Sequence, residues 1–272
     1  MRDMNRLGLT SKFFVESTPE KWEDARRVGF ETAELVFPPD MPERAMTREA
    51  EIRREHILSA GLEILSAHTP FGPATDPSSA NTEQRRQAIA LEKRVLDRIA
   101  EWNIGIAVMH ASFEPIGDDE RANRLAIARD AVEELGAYAL SLGVVLAVEE
   151  LPRTCLGNCS AEMLQLTGHG SSAMMTFDFN HLLKETHESF INACGPYIIT
   201  THLSDYDFVD EKHWMPGVGS VPWKKVVDQL LSTGYAGQMM FETYEQRAIP
   251  GEMCMPGKIM ESWKRLMGDT QA

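Results

Sequence analysis

The sequence predicts an α/β protein folded as one closed parallel (β/α)8 barrel, and three observations carry that expectation. Eight short apolar runs recur along the chain, each followed by a segment of helical character. Most of these runs end in a carboxylate or a histidine. The 272-residue length suits one barrel of roughly 250 residues, with no linker or low-complexity stretch to divide it, so residues 1–272 are read as a single domain. A doubly wound open sheet is the alternative. It would normally carry a glycine-rich phosphate turn after its first strand, and LGLTSKFF has none.

Residues 6–14 (RLGLTSKFF) read as the first strand. Thr18-Pro19-Glu20 then opens a helix with an N-cap, a proline at the first helical position and an acid behind it, and Gly29 closes it. Residues 32–37 (TAELVF) give the second strand, with Glu34 near its end. Residues 48–60 form a polar amphipathic helix ended by Gly61, and residues 62–71 (LEILSAHTPF) a third strand terminating at His68. Residues 81–102 form a long charged helix with Ile89, Leu91, Val95, Leu96 and Ile99 on its apolar side. Strand four covers 104–110 (IGIAVMH), and an alanine-rich helix over 118–142 stops at Gly143.

The fifth strand organises the chain. In VVLAVEELP, residues 144–152, the valine-rich part reads as buried on both faces, and charge arrives abruptly at Glu149 and Glu150. Adjacent carboxylates repel unless a cation, a proton or solvent relieves them, so one of the pair is expected to do chemistry. Ser160 caps a short helix, and residues 173–179 (AMMTFDF) make strand six, with Asp178 at its end and His181 just beyond. Residues 187–194 are helical, and residues 198–203 (IITTHL) form strand seven, carrying His202. A polar loop then runs through His213 to Gly219, where Gly217-Val218-Gly219 has the look of a phosphate cradle but reads as a turn leading to the helix start at Pro222-Trp223, with contact to a substrate phosphate as the alternative. A helix over 221–232, strand eight over 238–242 (QMMFE) and a closing helix over 256–267 complete the pattern.

Composition describes an ordinary globule, 43% hydrophobic and 25% charged with a mean hydropathy of -0.27. No apolar run approaches the ~20 residues of a membrane span, and the N-terminus lacks a secretory pattern, so no membrane partner and a cytoplasmic location are expected. Cys155, Cys159, Cys194 and Cys254 fit reduced thiols; the Cys155–Cys159 spacing has no second pair to complete a metal site. A net charge of -14 argues against a nucleic-acid partner.

Strand ends converge on one face of a barrel, which gathers His68, His110, Glu149, Asp178, His202 and Glu242, with His181 and His213 on adjoining loops. His56, His169 and His187 fall in or near predicted helices and are expected to face solvent. Three carboxylates and an imidazole suit Mn, Mg or Co, with Zn open through the histidine. Phe71 and Trp214 read either as pocket walls or as core, and Met174, Met175, Met239 and Met240 as strand core.

The pieces AVEELP, TFDFNH, THLSD with KHWMPGVGSVPW, and MMFETY resemble blocks of the sugar phosphate isomerase/epimerase family with the xylose-isomerase-like barrel. The resemblance runs from the first strand to the last helix. It implies one divalent metal ion held by Glu149, Asp178, His202 and Glu242, with Glu149 and Glu242 also the proton-transfer pair of ketose 3-epimerases. An ion that chelates a carbonyl and a neighbouring hydroxyl acidifies the intervening C–H and stabilises the enediolate. Proton return to the opposite face gives an epimer, and return to the adjacent carbon gives an aldose–ketose isomer. His181 would orient a substrate oxygen, His68, His110 and His213 would bind substrate, and Glu150 is read either as a hydroxyl contact or as a solvated side chain.

Two departures bear on the transfer. The arginine that ketose epimerases place shortly after the seventh-strand histidine is replaced by Leu203, Ser204 and Asp205. No counterpart of the lysine arrangement in hydride-shifting xylose isomerases is evident, which favours proton transfer. The resemblance also reaches the endonuclease IV group, whose three-zinc pattern finds matches at His68, His110, Glu149, Asp178, His181, His202, His213 and Glu242, with Glu211 in place of aspartate. His68, His110, His181, Glu211 and His213 are therefore also candidate additional ligands. The acidic charge and the lack of an Arg- and Lys-rich loop oppose the nuclease reading. A metal-dependent polyol dehydratase and a non-catalytic sugar-binding barrel complete the alternatives. The expected partner is a small carbohydrate, with a homodimer as the plausible assembly.

Overall fold

The computed structural model describes residues 5–39 and 41–268. Its strands are β1 (Leu7–Thr10), β2 (Thr32–Val36), β3 (Glu63–His68), β4 (Ile106–His110), β5 (Val145–Glu149), β6 (Met174–Asp178), β7 (Ile198–Leu203) and β8 (Met239–Phe241). They pair in parallel in chain order, and β8 returns to β1 to close the barrel. The helices α1 (Pro19–Val28), α2 (Glu43–Ser59), α3 (Thr82–Glu101), α4 (Asp118–Ser141), α5 (Ser160–Thr167), α6 (His187–Cys194), α7 (Trp223–Ser232) and α8 (Pro256–Met267) connect them. The closed (β/α)8 barrel is thus the fold the apolar runs predict, and the open sheet is ruled out. No helix among the described residues is long and apolar enough to cross a membrane.

Local chemistry accounts for the ends of the elements. The Thr18 hydroxyl accepts from Lys21 N, and Asn81 accepts from Glu83 N and Gln84 N, satisfying N–H groups that α1 and α3 leave unpaired. Gly29, at φ 118°, reverses the chain after α1 and returns its N–H to the Ala25 and Arg26 carbonyls. The core lies between sheet and helices, where the Phe177 ring stacks on Phe190 at 5.0 Å and meets Phe179 at a tilt at 4.7 Å.

Three expectations need correction. The first strand ends at Thr10, because Ser11 N bonds Glu34 O, Phe13 N turns back to Thr10 O, and the two phenylalanines leave the sheet to pack edge-on with each other and with Trp22. Helix α2 starts at Glu43, behind Pro42, rather than at residue 48. On α3, Ile89 and Leu91 pack half-buried against the core as expected, and Glu92 joins Val95, Leu96 and Ile99 in the fully buried stripe. His187 does not face solvent: it is buried against Phe179, its Nε2 donating to the Phe179 carbonyl at 2.7 Å, and burial lowers its pKa.

Candidate metal centre and active site

The barrel delivers Glu149, Asp178 and His202 at the ends of β5, β6 and β7, and Glu242 immediately after β8. One ligand atom from each lies within 4.8 Å of the others, and all four residues are buried. His202 Nδ1 sits 3.0 Å from Glu149 Oε1, 3.1 Å from Glu242 Oε2 and 3.9 Å from Asp178 Oδ2. Asp178 Oδ2 is buried without a hydrogen-bond partner among the described residues. Three buried carboxylates around one imidazole, one oxygen left unpaired, fit a hard divalent cation.

Electrostatics describe the same centre. Burial opposes charge on His202, but Glu34, Glu149 and Glu242 outweigh it and hold its pKa well above the ordinary value. Burial likewise opposes ionisation of Glu149, yet His202 and His110 outweigh it and keep its pKa well below the usual range. Glu242 is depressed in the same way, with His202 as the main opponent of burial. Asp178, more deeply enclosed and flanked by Glu242 and Glu149, is pushed well above its ordinary value.

The tautomers of the surrounding histidines are fixed by what they touch. A carbonyl can only accept, so His68 Nδ1 donates to Thr69 O at 2.8 Å, leaving Nε2 to face Glu149 Oε2 at 3.1 Å. His110 Nε2 reaches the same oxygen at 3.1 Å. His181 Nδ1 donates to Glu150 O at 2.9 Å and turns Nε2 toward Glu211 at 3.3 Å and Asp178 at 3.4 Å. His213 Nδ1 donates to Glu242 O at 3.2 Å. Two further groups therefore form, His68 with His110 and Glu149, and His181 with Glu211 and His213. No cysteine joins any of these groups among the described residues.

A cavity of about 610 Å³ opens over the centre. His68, His110, Glu149, His181, Glu211, His213 and Glu242 all border it, whereas Asp178 and His202 are buried away from it. Phe71 walls the cavity, stacked on His110 at 4.4 Å; Trp214 does not border it and instead bridges the Asp205 backbone. Glu150 is neither solvated nor on the cavity. Its two oxygens both accept from Asp178 N at 2.9 Å, and burial, reinforced by Asp178, raises its pKa well above the usual range.

Several residues that support or border the centre lie outside the sequence-based set. Glu34 accepts from His202 Nε2 at 2.9 Å and from Ser66 Oγ at 2.7 Å, which orients the imidazole from behind. Tyr244 donates to Glu242 Oε1 at 3.3 Å, and Lys12 reaches the cavity from the turn after β1. Asp205 accepts from Tyr206 N, Gly217 N, Val221 N and Trp223 Nε1, so the Gly217 loop is built around a carboxylate of the chain itself. Asn180 Oδ1 accepts from Lys212 N and His213 N, holding His213 at its positive φ of 53°.

Residues 22–264 match the xylose isomerase-like TIM barrel family. Among the relatives of this chain, the ketose 3-epimerase of Arthrobacter globiformis is 22% identical over 97% of this chain and 90% of its own. The fructoselysine 3-epimerase of Escherichia coli O157:H7 is 21% identical over 81% of this chain and 83% of its own. The crystal structure of a D-tagatose 3-epimerase-like protein superposes with a TM-score of 0.77 at 20% identity, covering 98% of this chain and 100% of that one. With the four-residue centre at the strand ends of a closed barrel and the match spanning nearly its whole length, the chain belongs to the xylose isomerase-like TIM barrel family.

Proposed function

We propose that the protein is a divalent-metal-dependent isomerase or epimerase of a small carbohydrate. The observation that carries this reading is that Glu149 and Glu242 both belong to the four-residue centre and both border the cavity. Glu149, Asp178, His202 and Glu242 would hold the ion. When bound, it supplies Lewis-acid polarisation of a substrate carbonyl and acidifies the adjacent C–H.

The chain's own groups handle the proton. Glu149 and Glu242, both with depressed pKa values, are carboxylates at neutral pH and can each accept one. They share His202 Nδ1 at 3.0 and 3.1 Å, so they flank one point of the site from different strands. Removal by one and return from the opposite face by the other, once it has taken up a proton from solvent, inverts a carbon; return of the abstracted proton to the neighbouring carbon interconverts ketose and aldose. His181, reaching the cavity from beyond β6, orients a substrate oxygen, and Phe71 stacks against His110 to exclude water from that wall. The 3-epimerase names of the relatives favour inversion at C3 of a ketose. A chelate-and-restore assay over a ketose panel tests this: activity should vanish with the ion and return with Mn, Mg, Co or Zn.

One observation favours a second reading. Four histidines use one ring nitrogen on Thr69 O, Glu34, Glu150 O or Glu242 O and turn the other toward a carboxylate or the cavity, an arrangement suited to more than one ion. Three ions would support a phosphodiester hydrolase of the endonuclease IV type. Against it, Glu211 Oε1 is already engaged by Arg153 at 3.2 Å. Elemental analysis of protein purified without added metal separates one ion per chain from three, and an abasic-site duplex supplies the matching substrate.

A further inference from the structure

Three Lys or Arg side chains border the cavity. Arg153 is held by Glu114, Asp210 and Glu211. Neither Lys12 Nζ nor the Arg247 guanidinium makes an ion pair or hydrogen bond among the described residues. In a chain with 41 acidic and 27 basic residues, acids are available to neutralise them. Arg247 is exposed, whereas Lys12 is half-buried: Glu242, Glu149 and Glu34 act on its ammonium from a distance, but it has no direct partner, a position that a ligand anion would complete. Phe71, whose ring centre lies 4.5 Å from Lys12 Nζ, supports the ammonium only through its face.

The two cations are presented together. Lys12 lies in the turn after β1 and Arg247 in the loop after β8, and these strands are neighbours across the barrel closure. Glu245 stitches the two loops, its N–H donating to Phe13 O at 2.9 Å and its Oε1 accepting from Val15 N at 2.9 Å. Resting on the isomerase or epimerase reading above, we propose that the substrate is a sugar acid whose carboxylate is held by Lys12 and Arg247 on the β8–β1 side of the cavity. A guanidinium fork matches a carboxylate in two hydrogen bonds, and the ammonium adds a point charge. A phosphate would be expected to use backbone N–H groups as well. The loop with the glycines suited to that, Gly217 to Gly219, already has Gly217 N on Asp205 Oδ2 at 2.8 Å and Val221 N on Asp205 Oδ1 at 3.0 Å.

The test uses three probes that differ only at C6: D-fructose, D-fructose 6-phosphate and D-fructuronate. Their dissociation constants are measured by calorimetry on the metal-loaded protein and on the Lys12→Gln, Lys12→Arg and Arg247→Gln variants. Fructuronate should bind at least about tenfold tighter than either other probe. Lys12→Gln and Arg247→Gln should each erode that preference, and Lys12→Arg should retain most of it. Equal or tighter binding of fructose or of the phosphate, or a preference that survives both glutamine substitutions, overturns the assignment. Exchange of the ligand's C3 hydrogen with D2O, followed in the same samples, keeps the two readings apart. Exchange without acid preference removes only this inference, and acid preference without exchange removes only the isomerase reading.

Discussion

His202 Nε2 lies 2.9 Å from Glu34 Oε1, at a depth where neither side chain is exposed to solvent. That contact fixes the imidazole so that Nδ1 faces Glu149, Glu242 and Asp178. Glu34 is held in turn by Ser66, which accepts from Gln238 Nε2 at 2.7 Å, and Gln238 Oε1 accepts from Thr32 at 3.0 Å. His202 thus rests on a chain of interior polar residues that crosses from β2 through β3 to the start of β8.

Substituting Glu34→Gln should weaken metal binding by about 10- to 100-fold, the usual effect of losing a carboxylate behind a histidine ligand. Competition against a fluorescent chelator reads it directly. An unchanged affinity would mean that His202 is held by its other neighbours.

Asp205 is predicted to hold the loop that carries Glu211 and His213. Replacing it with alanine leaves the N–H groups of Tyr206, Gly217, Val221 and Trp223 without their acceptor, and the fold should lose roughly 3 kcal/mol in urea denaturation. Asp205→Asn, which keeps one acceptor oxygen, should lose less. Equal stability of the alanine variant would contradict the role assigned to Asp205.

Glu92, buried in the stripe of α3, has its pKa raised by burial from 4.5 to about 8. Because the folded state holds this proton more tightly than the unfolded chain, the contribution of Glu92 is fully present below pH 4.5 and is lost as pH rises toward 8. Glu92→Gln should therefore be more stable than the parent at pH 8, by up to a few kcal/mol, and should flatten the decline of melting temperature between pH 5 and pH 8. Parallel pH profiles for the two proteins would exclude Glu92 as the source.

The strand-end cluster was legible because a barrel turns sequence position into spatial convergence: a carboxylate closing a valine-rich run such as VLAVE can only emerge at the common face. Glu34 was not, because in TAELV it occupies a position that reads as ordinary strand alternation until the barrel closes and all five residues are buried. Lys12 was hidden by the two phenylalanines after it, which extended the apparent strand past the turn that sends the lysine into the cavity. His187 looked exposed at the start of a short helix, and only the aromatic packing of Phe177 and Phe179 reveals why it is buried. Glu150 reads from sequence as a hydroxyl contact or a solvated side chain, whereas the strand pleat turns it away from both cavity and solvent onto the backbone of β6.

The central claim is that Glu149 and Glu242 move a proton at one carbon of a carbohydrate. Deuterium incorporation at C3 of a ketose or keto-sugar acid, followed by NMR in D2O with metal-loaded protein, measures that movement without reference to the net product. The account predicts exchange in the parent protein and its loss, by at least about 100-fold, in both Glu149→Gln and Glu242→Gln when each retains bound metal. Turnover without exchange, or exchange that persists in both variants, would contradict it.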